Sequence, residues 1–116
     1  MRQKLLTQEL RKQLPPLYAQ EDKGMQAVAY ARFFHAYGCG VWYITEFDGE
    51  DTCFGWAEVL PGCGELGYFS LSELEALEAT INGKRIPALQ AVERDIHFTP
   101  APLKDIREIM EAAHES

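Results

Sequence analysis

The stretch Val41-Trp42-Tyr43-Ile44-Thr45-Glu46-Phe47-Asp48-Gly49-Glu50-Asp51-Thr52-Cys53-Phe54-Gly55-Trp56 constrains the fold more than any other part of the chain. Two runs of aromatic and β-branched residues flank an acidic segment. Asp48-Gly49 is a tight-turn pair, so the stretch reads as a β-hairpin. Both tryptophans of the chain lie in it. Strict alternation of side chains across a strand puts Tyr43, Thr45 and Phe47 on one face with Thr52, Phe54 and Trp56. The other face takes Trp42, Ile44, Cys53, Gly55, Ala57 and Val59. The first face is broad and aromatic; the second suits a helix packed close against the sheet.

The remaining segments supply partners for this hairpin. Upstream, Leu6, Leu10 and Leu14 recur at helical spacing behind Thr7, a residue suited to an N-cap, and Pro15-Pro16 stops the helix. Leu17-Tyr18 are expected to pack back on the body, and residues 20–24 to form an exposed loop. The run from Val28 to His35 reads as a strand partly covered on both faces. Downstream, Glu65–Phe69 reads as a short strand. Ser70-Leu71-Ser72-Glu73 fits a capping box opening a helix, with Leu71, Leu74, Leu77 and Ile81 as its stripe and Asn82-Gly83 as its stop. Glu93–Phe98 alternates as a strand, and Leu103–Met110 reads as a final helix. The sum is a single α+β domain over residues 1–116, with an antiparallel sheet of about five strands and about three helices.

Charge distribution narrows the function classes. The net charge is −7. Residues 25–80 hold one basic group, Arg32, against nine acidic ones, a balance of −8. Residues 1–24 carry +2 and residues 81–116 carry −1. A field of that sign repels nucleic-acid phosphates and suits a basic partner or a divalent cation. No apolar run approaches the ~20 residues of a membrane span. Leu5-Leu6 give way at once to Thr7-Gln8-Glu9, so no secretory leader is expected. Cys39, Cys53 and Cys63 show no C-x-x-C spacing and read as reduced thiols. A cytoplasmic protein with no cofactor is expected.

Several segments occur together in an order that resembles a known family. They are Leu14-Pro15-Pro16-Leu17-Tyr18, Trp42 to Thr52, Leu66-Gly67-Tyr68-Phe69-Ser70-Leu71-Ser72-Glu73-Leu74, and Glu93-Arg94-Asp95-Ile96-His97-Phe98. Together they resemble the bacterial family called domain of unknown function 2958, over nearly the whole chain. The resemblance implies a small cytosolic bacterial protein, often carried on plasmids, phages or integrated elements. It brings no activity, cofactor or catalytic residues. Where that family is usually aromatic after the acidic turn, this chain has Cys53.

The candidate sites cluster on the hairpin. Glu46, Asp48, Glu50 and Asp51 supply the oxygens a hard cation needs. Strand alternation across the hairpin, however, is expected to put Glu46 and Asp48 on one face and Glu50 and Glu58 on the other. Tyr43, Phe47, Phe54 and Trp56 offer an aromatic face of the kind that stacks bases or anchors a protein interface. Its flanking charges are acidic, which disfavours direct nucleic-acid binding. The triplets Gly38-Cys39-Gly40 and Gly62-Cys63-Gly64 fall at the same end of the hairpin, near His35. Asp95 and His97 share a strand face, where they form a surface ion pair or an oriented imidazole.

Three functions follow from these residues. The first is a binding module whose acidic middle engages a basic or nucleic-acid-binding protein, in one form by mimicking DNA phosphates on a mobile element. The second is a metal-dependent nuclease or hydrolase built on the hairpin carboxylates. The third is single-strand binding on the aromatic face. No catalytic motif here is specific, and the −8 segment, with the mobile elements on which the resembled family is carried, puts the first ahead.

Overall fold

The computed structural model of the chain describes residues 4–115. In chain order its elements are α1 (Gln8–Gln13), β1 (Val28–Ala29), β2 (Ala31–His35), β3 (Val41–Phe47), β4 (Thr52–Glu58), β5 (Gly64–Ser70), α2 (Leu71–Ala76), β6 (Glu78–Ile81), β7 (Lys84–Gln90), β8 (Val92–Arg94), β9 (Ala101–Pro102) and α3 (Arg107–Glu115). Short 3-10 turns cover Glu21–Gln26 and Leu103–Asp105. The main sheet is antiparallel and five-stranded, in the order β5-β4-β3-β2-β8. Two small antiparallel pairs, β1-β9 and β6-β7, stand beside it. This is the expected α+β architecture.

β3 is the axis of the sheet, and every one of its residues is buried. One face of the sheet carries Phe33, Trp42, Ile44, Phe47 and Cys53. The leucine stripe of α1 covers it, together with Leu5, Leu71 and Leu74. The opposite face carries Tyr43 and Trp56 under Ala29, Leu103, Ile106 and Ile109. Each fully buried aliphatic or aromatic side chain contributes on the order of 1.5–3 kcal/mol. The hairpin is therefore held from both sides.

The face assignment expected from strict alternation fails at one point. The register runs Tyr43 opposite Trp56 and Ile44 opposite Gly55, then shifts, so that Glu46 faces Phe54 and Phe47 faces Cys53. A bulge at Thr45 inserts one extra residue and flips everything after it. Phe47 consequently joins Trp42 and Ile44 rather than Tyr43, and Glu46 joins the aromatic face. The Thr45 hydroxyl donates to the Phe54 carbonyl at 3.0 Å, which fixes the bulge.

Other boundaries also differ from expectation. The helix opened by Ser70 ends at Ala76, and the residues read as its last turns form β6. Asn82 and Gly83, with φ of 53° and 79°, make a two-residue hairpin turn into β7 rather than a helix stop. That geometry is the preferred use of Asn-Gly between strands. The run from Val28 to His35 is interrupted at Tyr30, whose N–H donates to Ile44. β8 ends at Arg94, because the Asp95 carboxylate accepts the His97 N–H at 2.9 Å and turns the chain. The last helix begins at Arg107, after the 3-10 turn.

Candidate functional site

The four hairpin carboxylates diverge. Asp48 Oδ1 accepts the N–H groups of Glu50, Asp51 and Thr52 at 2.8, 2.8 and 3.1 Å. Those bonds hold its pKa below the ordinary value, the Glu50 bond most strongly. Asp51 takes the Ser70 hydroxyl and, at 2.7 Å, the Ser72 N–H. It thereby caps α2 and is also lowered, first by Ser70. Glu50 is exposed. Glu46 turns inward and is 3% exposed. Among the described residues no group of three or more His, Cys, Asp or Glu is placed to hold a metal ion.

Glu46 has an unusual setting. Its two oxygens accept the backbone N–H groups of Tyr18 at 2.8 Å and Gln20 at 2.7 Å. No described Lys, Arg or His forms an ion pair with it. A carboxylate out of water with no cation beside it is costly. It lies at a slot of about 80 Å³, also lined by Tyr18, Glu21, Phe54, Leu66 and Tyr68. Phe54 packs edge-on against Tyr68, with centroids 4.8 Å apart. The Tyr68 hydroxyl is raised above its ordinary pKa, first by its hydrogen bond to Tyr18 and then by desolvation and the nearby Glu46 and Glu21 charges.

The loop that forms one wall of the slot is fastened from beneath. Buried Gln20 donates to the carbonyls of Val28 and Thr45 and accepts the Val28 N–H. The Phe47 N–H donates to Pro15 at 3.0 Å, which lays the diproline segment beside the end of β3. Tyr18 was expected against the body, yet its side chain stands out, 61% exposed. Its φ of 73° is a strained value for a non-glycine residue, worth on the order of 1–3 kcal/mol.

A family model matches residues 5–116. The chain belongs to the family described as protein of unknown function, DUF2958. No curated protein matches it, and no solved structure does. In this DUF2958 chain the segments that carried the resemblance meet at the slot. Tyr18 comes from the diproline segment, Glu46 from the hairpin, and Leu66 and Tyr68 from β5.

Three of the four expected aromatic residues are interior, Phe47 on the opposite face of the sheet. Tyr43 is 2% exposed and Trp56 6% exposed. Their rings are 6.3 Å apart, and Phe98 lies edge-on to Tyr43 at 5.6 Å. The face expected to stack bases is thus largely core, and Phe54 is its half-buried remainder at the slot. Sequence reading missed Tyr18, Leu66 and Tyr68 as its partners. The available signal was their occurrence in the segments shared with the family.

The cysteine triplets come to neighbouring but different clefts. Cys39 lines a cleft of about 710 Å³ with His35, Arg32, Glu58, Arg107 and Glu108. Cys63 lines a separate one with Trp42, Leu60 and Tyr68. The His35 Nδ1 accepts the Tyr37 N–H at 3.2 Å, so its own turn uses it. Asp95 pairs with Arg32 at 3.4 Å rather than with the His97 ring.

Both arginines in the larger cleft of this DUF2958 protein are already paired. Tyr43 donates to Glu108 at 2.6 Å, and Arg32 reaches both Glu108 oxygens at 3.2 and 3.1 Å. Desolvation pushes Glu108 up, but hydrogen bonds from Arg32 and Tyr43 outweigh it, and its pKa lies below the ordinary carboxyl value. Arg107 pairs with Glu111 one helical turn on. The Arg32 and Tyr43 bonds to Glu108 tie α3 to the sheet. No helix among the described residues is long and apolar enough to cross a membrane.

Proposed function

We propose that this protein is a binding module that takes an extended basic segment of a protein partner along β5, with a lysine or arginine of that segment seated in the Glu46 slot. The observation that carries the reading is Glu46 itself: buried, ionisable, hydrogen-bonded twice by backbone and without a cationic partner among the described residues. An arriving ammonium or guanidinium would complete its charge balance where water screens little. The apolar walls of Phe54, Leu66 and Tyr68 suit the aliphatic stem of such a side chain. Glu21 at the same slot adds charge of the matching sign.

The strand beside the slot supports the same occupant. β5 is an edge of the main sheet, so alternate N–H and C=O groups point away from β4. Its Glu65, Leu66 and Tyr68 are exposed. Strand addition supplies affinity through main-chain bonds, and a pocket beside the strand supplies specificity. The strain held at Tyr18 fits a binding edge, since such strain persists where the surroundings enforce it. The phosphate-mimic form of the reading draws no support from the hairpin, because Glu46 points inward while Asp48 and Asp51 bind their own turns.

Selection of random extended peptides against the full chain tests the proposal. Selected peptides should carry a Lys or Arg flanked by alternating apolar residues. Leu66→Asp and Tyr68→Ala, both at exposed positions, should weaken their binding at least about tenfold, the equivalent of ~1.4 kcal/mol. Peptides without a basic residue, or binding indifferent to both substitutions, would overturn it.

A further inference from the structure

We infer a second, independent site: a cleft that binds a compact polyphosphate. Lys4, Arg11, Lys12 and Arg94 line one cleft of about 760 Å³ together with Thr7 and Gln8. Its volume lies in the usual range for small-ligand sites, roughly 300–1,000 Å³. In a chain of net charge −7, this cleft has four cationic side chains and no Asp or Glu in its lining. None of the four forms an ion pair with a described residue.

The cations converge by tertiary folding. Arg11 and Lys12 close α1, where the helix dipole favours positive charge. That preference accounts for these two alone. Lys4 precedes the helix and Arg94 ends β8, across the sheet. The two guanidinium groups are held in place beforehand. Arg94 Nη1 donates to the Leu5 carbonyl at 3.0 Å, and Arg11 lies over the Phe47 ring, 5.2 Å from its centroid. A planar guanidinium fork matches phosphate oxygens in pairs, and its fixed placement reduces the ordering cost of binding. Two exposed lysines beside it add mobile charge.

The same electrostatics favour a compact anion over a nucleic-acid strand. Beyond the cleft the balance over residues 25–80 is −8. A strand would have to run out onto a surface that repels it, whereas a short polyphosphate stays within the local field, whose reach is about 8 Å at physiological salt. The ligand class is therefore a polyphosphate chain, either free or as the tail of a nucleotide.

Calorimetric titration of the full chain with inorganic tripolyphosphate, and separately with ATP, tests this. Binding is expected to weaken at least about tenfold between roughly 50 mM and roughly 500 mM salt. The double variant Lys4→Glu, Lys12→Glu should lose at least about tenfold, with an unchanged circular dichroism spectrum. Lys84→Glu, on the β6–β7 hairpin and outside the cleft, should bind as the parent does. Tighter binding of ATP assigns the nucleotide, and equal binding assigns the phosphate chain; both support the site. Absence of saturable heat, an equal loss in Lys84→Glu, or tighter binding of a single-stranded oligonucleotide would overturn it.

Discussion

The Glu46 carboxylate accepts the backbone N–H of Tyr18 at 2.8 Å across 28 positions of sequence. One side chain of the central strand thus holds a loop residue in a left-handed conformation. Removing it leaves two backbone donors without their acceptor. Glu46→Ala should cost about 2–4 kcal/mol of stability, and Glu46→Gln, which retains one acceptor oxygen, about half as much. Urea denaturation measures both. An unchanged midpoint for Glu46→Ala would show that the loop is held by other contacts.

Gly55 and Gly67 occupy paired positions on adjacent strands, and their substitutions should differ sharply. A Cβ on Gly55 would fall 1.7 Å from the Tyr43 carbonyl oxygen, a backbone atom that cannot yield. A Cβ on Gly67 would meet nothing within 4 Å. Gly55→Ala is expected to lose more than about 3 kcal/mol or fail to fold, and Gly67→Ala to stay within about 1 kcal/mol. Equal melting temperatures for the two would contradict the tight β3–β4 pairing.

Much of this architecture was legible from local signals. Thr7 does cap α1, with its hydroxyl accepting the Leu10 N–H at 3.1 Å, and Ser70 caps α2. The hairpin lies where its turn residues put it. The failures have physical causes. Asn82-Gly83 can end a helix or join two strands, and leucine spacing up to Ile81 suited the first use. The bulge at Thr45 has no residue signature, yet it moves Glu46 to the aromatic face and Phe47 to the opposite core. The slot was illegible because it joins Tyr18, Glu46 and Tyr68 through long-range packing. The −8 balance of the middle segment located acidic character without showing that one acid is buried.

The Arg32–Tyr43–Glu108 cluster should shape the pH dependence of stability. Glu108 titrates below its ordinary value. Its contribution is present above the unfolded pKa, about 4.3, and is lost as pH falls through the folded value. Tyr43 is raised, chiefly by burial and then by its bond to Glu108. Its contribution is present below the unfolded pKa, about 10, and is lost as pH rises beyond it. Melting temperature measured against pH should therefore fall on both sides. Glu108→Gln should make the acid limb shallower and Tyr43→Phe the alkaline limb. Limbs that keep the parent slopes would show that the cluster does not set the pH dependence of stability.

The three thiols should separate by reactivity. Cys39 and Cys63 are exposed, whereas Cys53 is buried with its pKa pushed up to about 12, mainly by desolvation. Only the thiolate attacks a disulfide reagent. At neutral pH a colorimetric thiol reagent should modify Cys39 and Cys63 quickly and Cys53 only on unfolding. Rapid loss of all three thiols in the native protein would contradict the packing of β4 against α1.

Under the proposed function, Glu46 receives a cation from a partner strand laid along β5. That contact is tested most directly by amide proton–nitrogen spectra recorded while a selected basic peptide is added. The largest shifts are expected at the Tyr18 and Gln20 amides, which donate to Glu46, together with Leu66 and Tyr68 on β5. Saturable binding that leaves those four amides unmoved would contradict it.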